Sequence, residues 1–488
     1  MGNGKARVKG LGPAIGLSAV VAIAAWGAPQ PSGEPLAVES TALVPLGTES
    51  ALFVSGIRGQ ISIETLDERE LRVISRETGQ DGAERPVGIW QEGQRMIIAP
   101  APGDKGGARF LHVEVPRRFS IAVEAADSDV AILSAGGKID LHGKGVRATI
   151  QGNSGSVSAD LEGGFLTIGA SSEAVVKVRG TPTMISDMTG NVTVRAIGGT
   201  LSVSRVNGST DIESDDCTLV TEALSGMLHL KARKGEATAT GNKGTAEFEL
   251  TGTPLHLNEA NRDVTVTTDA NVDFRMMNAA LRVDMSGGTL RGKGSKFGIE
   301  LHGRSTEVNV EAIENGVHIQ GDGIKAKVVD VSGELTFDTT LSDLVADKVG
   351  SVVAKVERGS VSVQRASGAV QATVIGGDVK LVDVAASVTI DLEGGNADVS
   401  WASLSGDKDS QLVNKSGTVT AMFPVSGSCR VDAKSTSGRV DSTLAQVKVS
   451  DDLSSAAGPV NGGSRPVVHI TANGDVHLQG ASAANTQE

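Results

Sequence analysis

The sequence predicts an all-β chain wound as a parallel β-helix, a β-solenoid of short strands in units of about nine residues, capped by an irregular N-terminal β segment. Three observations carry this reading. First, Gly359 to Ser403 divides without remainder into five nine-residue units: GSVSVQRAS, GAVQATVIG, GDVKLVDVA, ASVTIDLEG and GNADVSWAS. Self-similarity at a fixed spacing marks a repeat architecture. Second, each unit places apolar residues at its third and fifth positions, as in Val361/Val363, Val379/Leu381 and Val388/Ile390. Period-two alternation marks a strand with one buried face, and the glycines at the joints mark turns. Third, the chain holds 62 Gly and no Tyr, with only 9 Phe and 3 Trp. Such a composition fills a narrow interior with Val, Ile, Leu and Ala more readily than a wide globular core.

Taken in order, residues 1–33 read as an export signal or N-terminal anchor. Lys5, Arg7 and Lys9 precede an uncharged apolar stretch from Leu11 to Trp26, followed by small residues. Cleavage after Gly27 leaves Ala25 three residues back. The apolar stretch is shorter than the roughly 20 residues of a comfortable membrane span, and no Cys follows it to take a lipid. Residues 34–48, rich in Pro, Ser and Thr, read as a linker. Residues 49–125 are strand-rich but irregular and form the expected N-terminal β cap, because an open terminal strand invites edge-to-edge pairing. Residues 126–482 form the solenoid, with a Gly-x-apolar-x-apolar signature at Gly137, Gly155, Gly190, Gly208, Gly226, Gly244, Gly333 and Gly417. The frame loosens between about 252 and 332. Residues 446–465 read as an irregular loop before a final strand pair, VVHITANGDVHLQG, and 483–488 as a flexible tail.

Coil length is less firmly set by the sequence. Paired glycines at Gly376-Gly377 and Gly394-Gly395 stand 18 residues apart, which fits two nine-residue units per coil; three faces per coil would also use short strands. An antiparallel meander of so many strands would make an open sheet far larger than usual, whereas a coil closes its core at every turn.

The segment LHVEVPRRFSIAVEAADSDVAILSAGGKIDLHG (Leu111–Gly143) has an alternating strand ending in Val-Pro, a second strand, and then short glycine-spaced units. With the closing VVHITANGDVHLQG it resembles the bacterial "putative adhesin" family of domains of unknown function, over roughly residues 50–480. The resemblance implies a β-helix-like solenoid, exported or held at the cell envelope, in some members near envelope-stress regulators. It implies no enzymatic activity and supplies no catalytic or binding residues to carry over.

The residues offer little chemistry of their own. A formal charge of -13 opposes general nucleic-acid binding, which needs a basic footprint. No Gly-Gly pair continues as GGxGxD, the calcium-loaded β-roll motif, and Asp378 and Asp398 fall on outward positions. Asp127/Asp129 and Asp407/Asp409 read as surface turns. The eight histidines form no HxH or HExxH spacing; His229, His318 and His477 occupy outward slots between apolar neighbours. Cys429 stands where Val usually does and Cys217 in a similar setting; both read as small core residues, with a disulfide in an oxidising compartment as the alternative. Neither GxSxG nor a P-loop occurs.

The expectation is therefore an exported, non-catalytic scaffold of the periplasm, envelope or surface, without catalytic residues, metal or cofactor. Its partner is an envelope protein or a glycan, with no nucleic acid and with membrane contact only through an uncleaved N-terminal segment. Two alternatives stand beside it. One is a carbohydrate-active enzyme, lyase or glycosidase, assembling outward residues such as Asp378, Lys380 and Asp398 from adjacent coils. Few aromatic platforms are available for it, and Trp401 sits at an apolar core position. The other is a membrane-anchored sensor of envelope stress.

Overall fold

The computed structural model describes residues 36–38, 41–47, 50–66, 70–77, 87–102, 108–404 and 408–481. The export segment and the tail lie outside these residues; of the expected linker, residues 36–38 and 41–47 are described and contain the strands Leu36–Val38 and Thr41–Pro45, so this stretch belongs to the N-terminal cap. The described chain is all β, without helix, and its stacked parallel strands form a β-solenoid of about 17 turns.

The coil is two-sided. Val192 pairs with Thr210, Thr210 with Leu228 and Leu228 with Ala246, a step of 18 residues each time. The second half of the same coils repeats the step from Leu201 to Leu219, Ala237 and Leu255. Each coil thus supplies one strand to a leading sheet and one to a trailing sheet, and two nine-residue units make one turn. Most early coils run both halves as one bent strand of 13 to 15 residues, such as Val192–Val206 or Ile139–Gln151, while one is split into Glu173–Arg179 and Thr183–Met188. From Ala246 to Phe423 the halves are separate strands of four to seven residues.

The bends have a common backbone solution. A residue with positive φ recurs every 17 or 18 positions at each of the two corners: Gly198, Asp216 and Lys234 at one, Arg205, Ala223 and Gly241 at the other. The left-handed conformation turns the strand sharply, and in this protein many residue types carry it, Met276 and Leu341 included. A further ladder of Gly190, Gly208, Gly226 and Gly244 lies where coils approach most closely. A Cβ on any of the last three would stand 1.9–2.3 Å from backbone of the preceding glycine, so no side chain fits there.

Inward positions form one continuous core from Leu52 to Leu478. Val379, Leu381, Val388 and Ile390 are all buried, as their alternation predicts. Trp401 is buried too and stacks on Phe423 with ring centroids 5.3 Å apart. Between 252 and 332 the coils continue without interruption. The looser frame in the sequence comes from 17-residue coils, Leu255 to Val272 and Val264 to Leu281. Glycines at inward positions add to it, notably Gly292, whose missing side chain is replaced by the ring of Phe274 from the coil before.

Both ends are closed by strands that leave the parallel order. The strand Ala51–Leu66 is itself a full coil, paired in parallel with Ser120–Leu133. The boundary expected at 125/126 falls inside the latter strand, which runs through it. On the other side of Ala51–Leu66 lie Arg95–Pro100 and Ala108–Pro116, followed by antiparallel layers ending in Leu36–Val38 and Thr41–Pro45. At the C-terminal end the final strands are not the edge. Val467–Ala472 slides between Ser410–Asn414 and Cys429–Ser435. Residues 446–465, expected as loop, contain the strand Ser455–Val460, antiparallel to Cys429–Ser435. Small residues and Gly458 hide its alternation in the sequence.

Candidate functional site: two open faces

Because the coil repeats every 18 residues, outward side chains at i and i+18 stand on neighbouring strands roughly 4.8 Å apart. On the leading sheet these rows carry charge. Arg195 Nε meets Glu213 Oε2 at 3.2 Å, Lys231 Nζ meets Glu249 Oε2 at 2.9 Å and Arg233 Nη2 meets Asp215 Oδ2 at 3.0 Å, each across one coil. Pairs this exposed contribute little stability; they set the chemistry of the surface.

Histidines make similar pairs on both sheets, His229 on the leading one and His256 and His477 on the trailing one. His229 pairs with Asp211 at 3.2 Å, His477 with Asp441 at 2.7 Å, and His256 lies between Glu236 and Asp273 at 3.2 and 3.3 Å. His318 has an edge-on ring neighbour in His302, centroids 6.4 Å apart. Outward placement was legible in the sequence. The carboxylate partners were not, because i, i+18 pairing becomes visible only once the coil length is known.

One polar group on the leading sheet is Arg282, Glu300, His302 and His318. His302 Nε2 lies 3.0 Å from Glu300 Oε1, and Arg282 Nη1 lies 3.6 Å from Glu300 Oε2. Thr265, Arg282, Glu300, His318 and Thr336 line a shallow groove of about 540 Å³. A depression of about 570 Å³ containing Asp284, His302 and Gln320 lies nearby. Hydrogen bonding to His302, with the charges of Arg282 and the histidines, holds the Glu300 carboxyl below its usual range against partial desolvation.

The same direction holds elsewhere. The hydrogen bond to His142 takes Asp140 to about 2, Arg205 takes Asp187 to about 2, Lys231 lowers Glu249 and Arg365 lowers Asp347. These carboxylates are held ionised, as hydrogen-bond acceptors. Asp378, Lys380 and Asp398 do come together on the trailing sheet, with Lys380 paired in register with Asp398. Asp378 accepts the backbone N–H of Asn396 at 2.8 Å, and Lys380 forms no ion pair among the described residues. Asp127 occupies a left-handed corner, Asp129 meets Arg147 at 3.3 Å, and Asp409 accepts the N–H of Val467 at 2.8 Å. Asp407 lies outside the described residues.

Cys217 and Cys429 are buried and unpaired. Burial pushes both thiols up, Cys429 to about 11, which keeps them protonated and unreactive at neutral pH. Among the described residues no group of three or more His, Cys, Asp or Glu is placed to hold a metal ion. None of the described residues forms a helix long and apolar enough to cross a membrane.

The trailing sheet is different in its early coils. Outward positions there hold Phe165 and Thr167, then Pro182 and Met184, then Thr200 and Ser202, then Thr218 and Val220. None is charged. Charge borders these positions, with the Arg147–Asp129 pair on the coils before, Glu222 at the end of the Thr218/Val220 strand and Glu236 on the coil after.

No family model and no curated protein matches the chain. Among solved structures it is similar to the crystal structure of a putative cell adhesion protein from Clostridium sporogenes ATCC 15579. That similarity has 9% identity over 91% of this chain and 100% of that one, with a TM-score of 0.13. A superposition of that quality carries no argument about function.

Proposed function

We propose that this chain is an exported, non-catalytic β-solenoid that works as an adhesin-like scaffold of the cell envelope or surface. It presents its open sheets to a protein or glycan partner. The observation that carries this reading is the set of outward rows that stay in register from coil to coil, on a body closed at both ends by antiparallel strands. A stack of about 17 turns at roughly 4.8 Å each gives a face some 80 Å long, the kind of extended surface solenoids use for binding.

The rival reading is a carbohydrate-active enzyme. Cleavage of a glycosidic bond calls for a carboxylic acid whose pKa is raised so that it can donate a proton. Every carboxylate with a resolved shift among the described residues moves the other way, Glu300 in the leading-sheet groove included. That favours binding over bond cleavage.

The test is to incubate the purified chain with envelope fragments and a panel of polysaccharides, measuring sedimented protein and newly formed reducing ends together. The scaffold reading expects retained protein and no new ends. Reducing ends that increase with protein concentration would overturn it.

A further inference from the structure

We infer that the uncharged part of the trailing sheet, from Phe165 to Val220, is a docking platform for a neutral polysaccharide. The inference rests on the scaffold reading and names the partner class and the face it uses.

One residue in five of the chain is charged (21%), and the leading-sheet halves of the same coils carry Asp160, Lys177, Arg195 and Glu213. The two outward positions nearest the start of each trailing strand nevertheless carry no charge in four successive coils, and the third row, Gly169, Ser186 and Ser204, becomes charged only at Glu222. The nearest bend charges, Arg205 and Asp187, are closed on each other by two hydrogen bonds of 2.6 and 2.9 Å. A charged partner would find no countercharge at these positions and would lose hydration without compensation. A neutral partner meets no such penalty.

Phe165, Met184 and Val220 are 37%, 50% and 37% exposed, and Pro182 follows Phe165 at the same edge of the sheet. Beside them the hydroxyls of Thr167, Thr200, Ser202 and Thr218 make no hydrogen bond to any described residue. A sugar ring offers an apolar C–H face and a rim of hydroxyls, and a flat surface alternating apolar and hydroxyl positions is complementary to both. Hydroxyls can donate and accept, so such a surface tolerates the repeating pattern of a polymer.

Two outward positions along a strand and four coils across it give an uncharged plane of roughly 10–15 Å by about 15–20 Å. That is well under the ~800 Å² per partner of a stable protein complex. It is adequate for a short run of an extended polysaccharide lying across the coils, with neighbouring surface left free.

The test uses the full chain and its retention on cellulose, chitin and mixed-linkage glucan, with alginate as the acidic comparison. Ser202→Lys and Ser202→Glu place either sign of charge at the centre of the patch, on an outward position. Ser362→Lys does the same farther along the same sheet, outside the patch. Melting curves check that all three variants fold. The expected result is retention of the wild type on at least one neutral polymer, weakened tenfold or more by both Ser202 variants and unchanged by Ser362→Lys. No retention on any neutral polymer, retention on alginate alone, or retention indifferent to Ser202 overturns the inference and leaves the scaffold reading standing. Reducing ends released from the retained polymer would instead overturn the scaffold reading, and the inference with it.

Discussion

Val379 shows how little tolerance a narrow core leaves a single residue. It faces inward, is 1% exposed and is flanked in register by Val361 and Ala397. Val379→Asp would put a carboxylate where no cation or water reaches it, and we expect a loss of at least ~3 kcal/mol in thermal unfolding. An unchanged melting curve would mean that the residue does not face the core. Gly292 tests packing in the opposite sense. Its Cβ position lies 2.3 Å from the ring of Phe274, so Gly292→Leu overpacks the coil by about 1–3 kcal/mol. Phe274→Ala alone leaves a cavity costing about 3–5 kcal/mol. Combined, the two should be much less harmful than their sum, with a coupling of about 1–3 kcal/mol. Simple additivity in denaturant melts would contradict the exchange of volume between these coils. At this scale the sequence was most legible: alternation alone assigned Val379, Trp401 and both cysteines to the interior. It could not reveal that Gly292 borrows a ring from 18 residues away, because that is a property of the stack.

At the level of the strand, the ladders of charge give a pH signature. His142 Nε2 lies 3.4 Å from Asp140 Oδ1. The hydrogen bond to Asp140 raises the imidazole above its ordinary 6.5, against the opposing effect of burial, and takes the carboxyl from 3.8 to about 2. The raised histidine contributes stability that is complete below 6.5 and is lost as pH rises through its folded pKa. The lowered aspartate contributes above 3.8 and is lost as pH falls through about 2. Both contributions are therefore present together between roughly pH 4 and 6.5. An NMR titration should place the His142 midpoint above 6.5, and Asp140→Asn should lower it. A midpoint that ignores the substitution would show that the pair does not form. The bends belong to this scale as well. Where glycine holds the left-handed corner, as at Gly198 and Gly376, the sequence announced it; where Asp216, Lys234 or Leu341 does so, nothing in the residue type marks the turn. The nine-residue frame was clear from 359 to 403, where the coils keep an 18-residue step, and loose between about 252 and 332, where 17-residue coils shift it.

For the whole molecule, the caps decide whether the solenoid remains a single body. The strands Ser410–Asn414 and Val419–Phe423 are covered by Val467–Ala472 and Val476–Gly480, which are covered in turn by Cys429–Ser435 and Val440–Ser442. A chain ending at Phe423 would expose both edges, and we expect it to associate end to end in light scattering at concentrations where the full chain does not. If it scatters as the full chain does, the C-terminal strands are not the guard we describe. The sequence disclosed that the ends need closing, but the intercalation of the last strands joins residues 58 positions apart, such as Gln411 and His469, which no local pattern records. The uncharged platform was hidden for a related reason. Phe165, Met184, Ser202 and Val220 are scattered in sequence and become one surface only when the 18-residue step stacks them.

The central functional claim is that this solenoid works outside the cytoplasm as a scaffold. The most direct measurement is fractionation of the producing cells with mass spectrometry of the mature N-terminus. The account predicts a periplasmic, envelope or surface protein beginning near Ala28. A cytosolic protein with residues 1–27 intact would contradict it; an intact N-terminus in the membrane fraction would replace the free scaffold with the anchored sensor.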